Sequence, residues 1–151
     1  MTAITRVNAD RFEEFFGLVC ALADYEHLER PSQGAKQRLL KDITGVAPRI
    51  EAYLVDDAND SAVGYAIILE TYSSFLALPT LYLEDIFVLE QFRGKGFGKA
   101  LFTFIMQQAH DRGCGRIDWQ VLDWNTPARD FYNRQGASCL NEWLLYRITL
   151  E

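Results

Sequence analysis

Leu81-Tyr82-Leu83-Glu84-Asp85-Ile86-Phe87-Val88-Leu89-Glu90-Gln91-Phe92-Arg93-Gly94-Lys95-Gly96-Phe97-Gly98-Lys99 is the stretch whose reading decides the fold. Leu81 to Leu89 is almost wholly apolar, as a buried strand is, and only the neighbouring carboxylates Glu84 and Asp85 interrupt it. Gly94, Gly96 and Gly98 follow, and then Phe97, Leu101, Phe104, Ile105 and Ala109 recur along one face of a helix running to about Arg112. Strand, glycine loop and helix in that order make an anion-binding junction. Glycine lets the backbone approach a phosphate without a Cβ in the way, and the unpaired N–H groups of the helix start carry partial positive charge. Arg93, Lys95 and Lys99 add full charges there, in a chain whose formal net charge is -6.

Two common phosphate motifs fail on spacing. A dinucleotide fingerprint needs its third glycine three residues after Gly96, where Lys99 stands. A Walker loop needs a glycine at Arg93 and a hydroxyl after Lys99, where Ala100 stands. A bare structural turn remains as the alternative to a binding loop.

Working outward from the loop, Ile4 to Val7 reads as a first strand. Asp10 caps a helix in which Phe12, Phe15, Phe16, Val19, Cys20 and Ala23 recur at helical spacing to near His27. A second helix, Ala35 to Ile43, ends at Gly45. Ile50 to Val55 and Ala62 to Glu70 are β-rich runs on either side of the polar cluster at 56–60. Beyond the glycine-loop helix, Ile117 to Leu122 reads as a strand, Pro127 opens a helix to Gln135 stopped by Gly136, and Trp143 to Leu150 closes the sheet. At 151 residues and 49% hydrophobic content, the chain has room for one packed α/β domain over 1–151 and none for a second.

The acidic balance disfavours nucleic acid, whose phosphates need dense Lys and Arg, and suits a cationic ligand. No apolar run approaches the roughly 20 residues of a membrane span, and Met1 to Val7 does not read as a leader, so the expectation is a cytosolic protein without membrane contact. Cys20, Cys114 and Cys139 are odd in number and unclustered, and they have only His27 and His110 for company, so no metal is expected.

The pattern Gln91-x-x-Gly94-x-Gly96 opening a helix after a strand resembles the acetyl-CoA signature of the GNAT superfamily. Three segments resemble its diamine and polyamine acetyltransferases, the spermidine/spermine type. They are Leu81 to Val88, the run Trp124-Asn125-Thr126-Pro127-Ala128 continuing through Phe131-Tyr132 to Gly136-Ala137-Ser138, and an early Tyr25-Glu26. The resemblance implies a GNAT fold of α/β (α+β) type, in which a mixed, mostly antiparallel sheet flanked by helices splays between Leu81–Leu89 and Ile117–Leu122. It implies that backbone amides from Gly94 to Lys99, within the loop Arg93, Gly94, Lys95, Gly96, Phe97, Gly98 and Lys99, hold the pyrophosphate of acetyl-CoA. Ile86, Phe87 and Val88 would bond the pantetheine arm, and Asn125, Pro127 and Ala128 would border the cofactor. A homodimer is implied by the resemblance alone.

The resemblance also makes Tyr132 the general acid toward the departing thiolate. A phenol with a reference pKa of about 10 stays protonated at neutral pH and lies close enough to a thiol of about 8.5 to transfer its proton during cleavage. Against this stands a plain packing role beside Phe131. An acceptor ammonium of pKa about 10.4 must first lose a proton, which Glu84 can take through water, or Glu84 can simply hold the ammonium. Asp85, Tyr25 and Glu26 complete the candidate acceptor site, with an ion pair, a bulge contact or a surface position as their alternatives. The expected reaction is direct acetyl transfer to the primary amine of a small cationic acceptor. A protein or peptide amine, or a non-catalytic acetyl-CoA-binding module, is the alternative. The polyamine pattern of Asp and Trp after a Tyr is absent, since Ser73, Ser74 and Phe75 follow Tyr72, and this disfavours long polyamines relative to a short diamine or a lysine-like amino acid such as thialysine.

Overall fold

A computed structural model describes residues 2–151 of the chain. They divide into two compact units, 2–119 and 120–151, with Met1 outside the described residues.

The first unit is built on a five-stranded sheet of order β1-β2-β3-β4-β5, comprising β1 (Ala3–Arg6), β2 (Glu51–Asp56), β3 (Ala62–Ser73), β4 (Leu78–Val88) and β5 (Arg116–Trp119). The first four strands are antiparallel neighbours, and β5 runs parallel to β4. Between β4 and β5 the chain crosses over through α3 (Phe97–Asp111), the connection that a parallel pair requires. Helices α1 (Phe12–Tyr25) and α2 (Gln33–Thr44) precede the sheet strands β2 to β5.

Several boundaries depart from the sequence reading. A 3-10 turn, Ala9–Arg11, leads into α1, so Asn8 rather than Asp10 supplies the capping oxygen and accepts from the Arg11 N–H at 3.0 Å. The chain enters the helix through a tighter turn, which moves the cap two residues back. β3 and β4 extend to Ser73 and from Leu78, so the loop expected around Ser73 to Pro79 shrinks to a tight hairpin end. β5 stops at Trp119, which leaves Val121 and Leu122 out of the strand.

One cluster of the core lies on the α1 face of the sheet, and Leu101, Phe102 and Ile105 of α3 are also buried. Phe12, Phe15 and Leu18 recur every three or four residues and pack with Ala52, Leu54, Tyr65, Ile67 and Phe87. Phe15 meets Tyr65 edge to face at 5.2 Å. In the ladder Ile67 pairs with Asp85 while Ile68 pairs with Leu83, so Glu84 is an extra residue on β4, a β-bulge. Because side chains alternate along a strand, this one-residue shift reverses the faces of β4. Asp85 and Phe87 share the α1 face with Ile67 and Tyr65, while Leu83 lies with Ile68 on the other.

The second unit contains α4 (Thr126–Arg134), started by Asn125, whose Oδ1 accepts from the Ala128 N–H, and ended by Gly136 at φ +88°. Residues 143–150, expected as a closing strand, adopt none. Trp143, Leu144, Leu145, Tyr146, Ile148 and Leu150 all stand exposed. The segment has the apolar composition of a strand buried on both faces, but a strand is completed only by the main-chain bonds of a neighbour, which composition does not supply.

Candidate functional site

The glycine loop begins where β4 leaves the sheet. After Val88 the chain makes a 3-10 turn, Glu90–Phe92, and then passes through Gly94 at φ +74° and Gly96 at φ +91° into α3. Both glycines occupy the left-handed region that other L-residues enter only at a cost of roughly 1–2 kcal/mol. Apart from the adjoining residues, no atom of the described residues lies within 4 Å of where a Cβ would sit on either, so the loop faces open space. Gly96 offers no side-chain cap, and the first helical bond is Ala100 N–H to Gly96 O at 3.0 Å. The amides of Phe97, Gly98 and Lys99 therefore precede the helix ladder and point along its positive end. Lys95 lies over the ring of Phe92, which meets Phe97 edge-on.

Beside the loop the sheet is only half paired. The β4–β5 ladder covers Thr80 to Leu83 against Arg116 to Trp119 and goes no further, whereas β4 continues against β3 as far as Val88. From Glu84 onward the outer edge of β4 has no strand next to it among the described residues, which is the splay expected between these strands. The bulge at Glu84 marks where it opens.

Carboxylates gather at that point. Tyr65 donates its hydroxyl to Asp85 Oδ2 at 2.9 Å. Tyr65 is fully buried, with its ring against Phe15 and Phe87. Burial raises the Asp85 carboxyl to about 6, the Tyr65 hydrogen bond opposes that rise, and the charges of Glu84 and Glu26 reinforce it. Burial also raises the Glu26 carboxyl and pushes the Tyr65 phenol well up. Glu26 caps the end of α1 by its N–H to the Leu22 carbonyl, and Tyr25 before it lies 6.3 Å from Phe87. Glu26, Glu84, Asp85 and Tyr25 thus come together. Tyr65 was missed. Its signal was a hydroxyl-bearing ring within the apolar first half of β3, two residues along the strand from the partner of Asp85.

Arg93 goes elsewhere than its neighbours imply, since its guanidinium packs over Tyr25 and its Nε donates to the Val88 carbonyl. Phe87 is buried, so that residue can face a ligand only through its main chain. In the second unit Tyr132 is partly buried on α4 beside Phe131, and Pro127 and Ala128 lie in the first turn after Asn125. A separate cavity of about 250 Å³ is lined by Pro48, Arg49, Glu51, Glu70 and Arg112. It lies at the far end of α3, on the order of 20 Å along the helix from the glycine loop. Its Glu51 and Arg112 are spent on each other, with two hydrogen bonds at 2.6 and 2.9 Å. Among the described residues no group of three or more His, Cys, Asp or Glu is arranged to hold a metal ion.

Residues 13–137 match the Acetyltransferase (GNAT) family. This chain belongs to that family. It is 46% identical to an L-ornithine N5-acetyltransferase of Arabidopsis thaliana over 103 residues, which is 68% of this chain and 45% of the relative. A thialysine N-epsilon-acetyltransferase of Bos taurus is 31% identical over 140 residues, 86% of this chain and 82% of that protein. An integron cassette protein from V. cholerae superposes with a TM-score of 0.81 at 24% identity, covering 98% of this chain and 92% of that one. AAC(6')-Iy, solved with the bisubstrate analogue CoA-S-monomethyl-acetylneamine, superposes at 0.77 with 21% identity and 99% coverage of both chains. These likenesses establish the GNAT fold.

GNAT acetyltransferases take their acetyl group from acetyl-CoA, and the residues present fit that donor. Outward-facing amides at the start of α3 suit a diphosphate. Lys95 and Lys99 add charge beside them, and the unpaired outer edge of β4 offers main-chain groups to an arm that carries amides.

Proposed function

We propose that this GNAT protein transfers acetyl from acetyl-CoA directly to a primary amine of a small cationic acceptor, a short diamine or an ornithine- or lysine-like amino acid. The observation that carries the reading is the convergence of Glu84, Asp85 and Glu26 where β4 parts from β5, beside the glycine loop. Three carboxylates within one another's field attract an alkylammonium and resist anionic or apolar acceptors. Relatives that acetylate L-ornithine and thialysine support the same class of acceptor.

In this reading the amides of Gly94 to Lys99 and the outer edge of Ile86 to Val88 hold acetyl-CoA, with Asn125, Pro127 and Ala128 along it. When bound, the donor supplies a thioester whose carbon the amine attacks and whose sulfur leaves. Asp85 and Glu26 hold the ammonium, and Glu84 takes its proton through water. As the N–C bond forms and the C–S bond breaks, the nitrogen releases its second proton to solvent, and Tyr132 gives its phenolic proton to the sulfur and regains one from solvent. In this reading residues 1–151 make up a single acetyltransferase domain.

The setting is the cytosol, without nucleic acid or metal, and no helix among the described residues is long and apolar enough to cross a membrane. The working form is a homodimer. The exposed side chains of residues 143–150 support it, for they offer roughly 800 Å² of apolar area, about what one partner contributes to a stable interface.

The test follows CoA thiol release with putrescine, spermidine, L-ornithine, thialysine, lysine and short peptides. Small diamino acceptors are expected to exceed spermidine and peptides. Tyr132→Phe is expected to lower kcat by about 10²-fold or more with acetyl-CoA binding retained. Full turnover by that variant, with chemistry limiting, removes the acid role.

A further inference from the structure

Arg93 stands at the junction of the two halves of this site, with its main chain in the glycine loop and its side chain against the acceptor wall. Its guanidinium carbon lies 4.5 Å from the centroid of Tyr25 and 5.6 Å from that of Phe87. Its Nε donates to the carbonyl of Val88, the last residue of β4, at 3.0 Å. One planar group is thus anchored on a strand end and laid over two rings, an arrangement that a flexible ammonium does not reproduce. The rings belong to the elements that carry the carboxylates. Tyr25 is the last residue of α1, immediately before Glu26, and Phe87 lies two residues after Asp85.

The main chain at the end of α1 is tied by the Leu28 N–H to the Ala23 carbonyl and by Arg30 on Asp24, whereas Arg93 acts on the Tyr25 ring. The chain leaves the helix through His27 in the left-handed region at φ +60°, an uncommon conformation for a residue other than glycine. Glu26 lies between that turn and Tyr25, so its carboxylate points wherever the Tyr25 ring and the turn jointly set it. We propose that Arg93 is a positioning residue for the acceptor amine: by pressing Tyr25 toward Phe87 it holds Glu26 against the Glu84–Asp85 bulge, and it leaves the grip on the diphosphate to the loop amides and lysines. The inference rests on the proposed function only for the identity of the two ligands. It makes the loop that receives the acetyl donor and the wall that receives the amine parts of one clamp, so occupancy of the loop is felt at Glu26.

A phosphate ligand and a clamp fail differently when removed. The experiment measures acetyl-CoA affinity by calorimetry and steady-state kinetics with thialysine and L-ornithine, on wild type, Arg93→Ala, Arg93→Lys, Tyr25→Ala and the Arg93→Ala/Tyr25→Ala double variant. The clamp predicts an acceptor KM raised about fivefold in Arg93→Ala, at the upper end for an exposed cation on a ring, with acetyl-CoA affinity unchanged. Arg93→Lys fails to rescue the KM although it keeps the charge, and the double variant is no worse than Tyr25→Ala. A loss of acetyl-CoA affinity of about tenfold, as expected for a charged hydrogen bond to phosphate, overturns the proposal, and so does a variant unchanged in both measurements. A wild-type protein that binds acetyl-CoA yet acetylates no amine sinks the functional reading separately. The clamp is then judged from the Tyr25 ring resonance in fluorotyrosine-labelled protein. A shift in Arg93→Lys supports the clamp, and an unmoved resonance refutes it.

Discussion

Asp85→Asn isolates the most perturbed carboxyl of the site. Burial holds Asp85 at about 6 in the folded protein, against the usual value near 4 of an unfolded chain. The folded state therefore binds this proton more tightly than the unfolded state. The stability attached to the protonated form is fully present below about pH 4 and is lost as the pH rises through about 6. At roughly 1.4 kcal/mol for each tenfold difference in proton affinity, the ionised carboxylate costs the fold about 3 kcal/mol at pH 8. Asparagine is neutral throughout and keeps an oxygen for the Tyr65 hydroxyl. Urea unfolding of both proteins at pH 4, 6 and 8 gives the stability difference at each pH. Any packing effect of the amide is common to all three, so only the change with pH matters. The difference should move in favour of Asp85→Asn by about 3 kcal/mol between pH 4 and pH 8. Glu84 on the same strand and Glu26 at the end of α1 share the field, and Tyr65 faces the group from β3, so loss of Asp85 also relieves their repulsion. A difference that stays constant across the range shows that Asp85 ionises as an ordinary surface carboxyl, and the description of the acceptor site as a buried anionic cluster then falls. The same variant should raise the acceptor KM, since the group that destabilises the fold is the one the ammonium needs.

Other perturbations bear on separate parts of the molecule. Gly96→Ala meets no steric neighbour but must hold φ +91°, so a stability loss of about 1 kcal/mol, with weaker acetyl-CoA binding, is expected in thermal unfolding and calorimetry. Arg112 holds the Glu51 carboxyl below its ordinary range, so that pair stabilises the fold above the unfolded value and less as the pH falls through the lowered one. Glu51→Gln should cost about 1–2 kcal/mol at pH 7 by urea unfolding, shrinking toward acid, with no change in acceptor KM. Tyr146→Asp combined with Ile148→Asp should yield a monomer by sedimentation under conditions where the wild type is a dimer, while a wild-type monomer at high concentration refutes the proposed assembly.

Much of the site was legible because its chemistry is local. The strand, glycine loop and helix from Leu81 to Arg112 declare themselves through apolar runs, positive-φ residues and helical spacing, all of which operate within a few residues. The adjacency of Glu84 and Asp85 was visible for the same reason. Their different surroundings were not. Leu81, Leu83, Asp85 and Phe87 alternate in the sequence as though they shared a face, and only the register against β3 shows that the bulge at Glu84 turns Asp85 toward Tyr65 and Leu83 away. Tyr65 and Asp85 are twenty residues apart, and no local rule joins them.

Arg93 and the closing segment carry the same distinction. A cation beside a glycine loop reads as a phosphate ligand, since charge and proximity along the chain are all that a sequence exhibits. The ring of Tyr25, sixty-eight residues earlier, gives that guanidinium another place to lie. Residues 143–150 have the apolar content of a buried strand, yet among the described residues they form no ladder, which needs a second main chain. What the order of residues determined by itself is the series of elements as far as α4 and the family chemistry they carry, because propensity, capping and motif spacing are short-range. The tertiary structure alone decided which side chains meet, how much water they lose and what their carboxyls then titrate at, because those depend on contacts between segments that are distant along the chain.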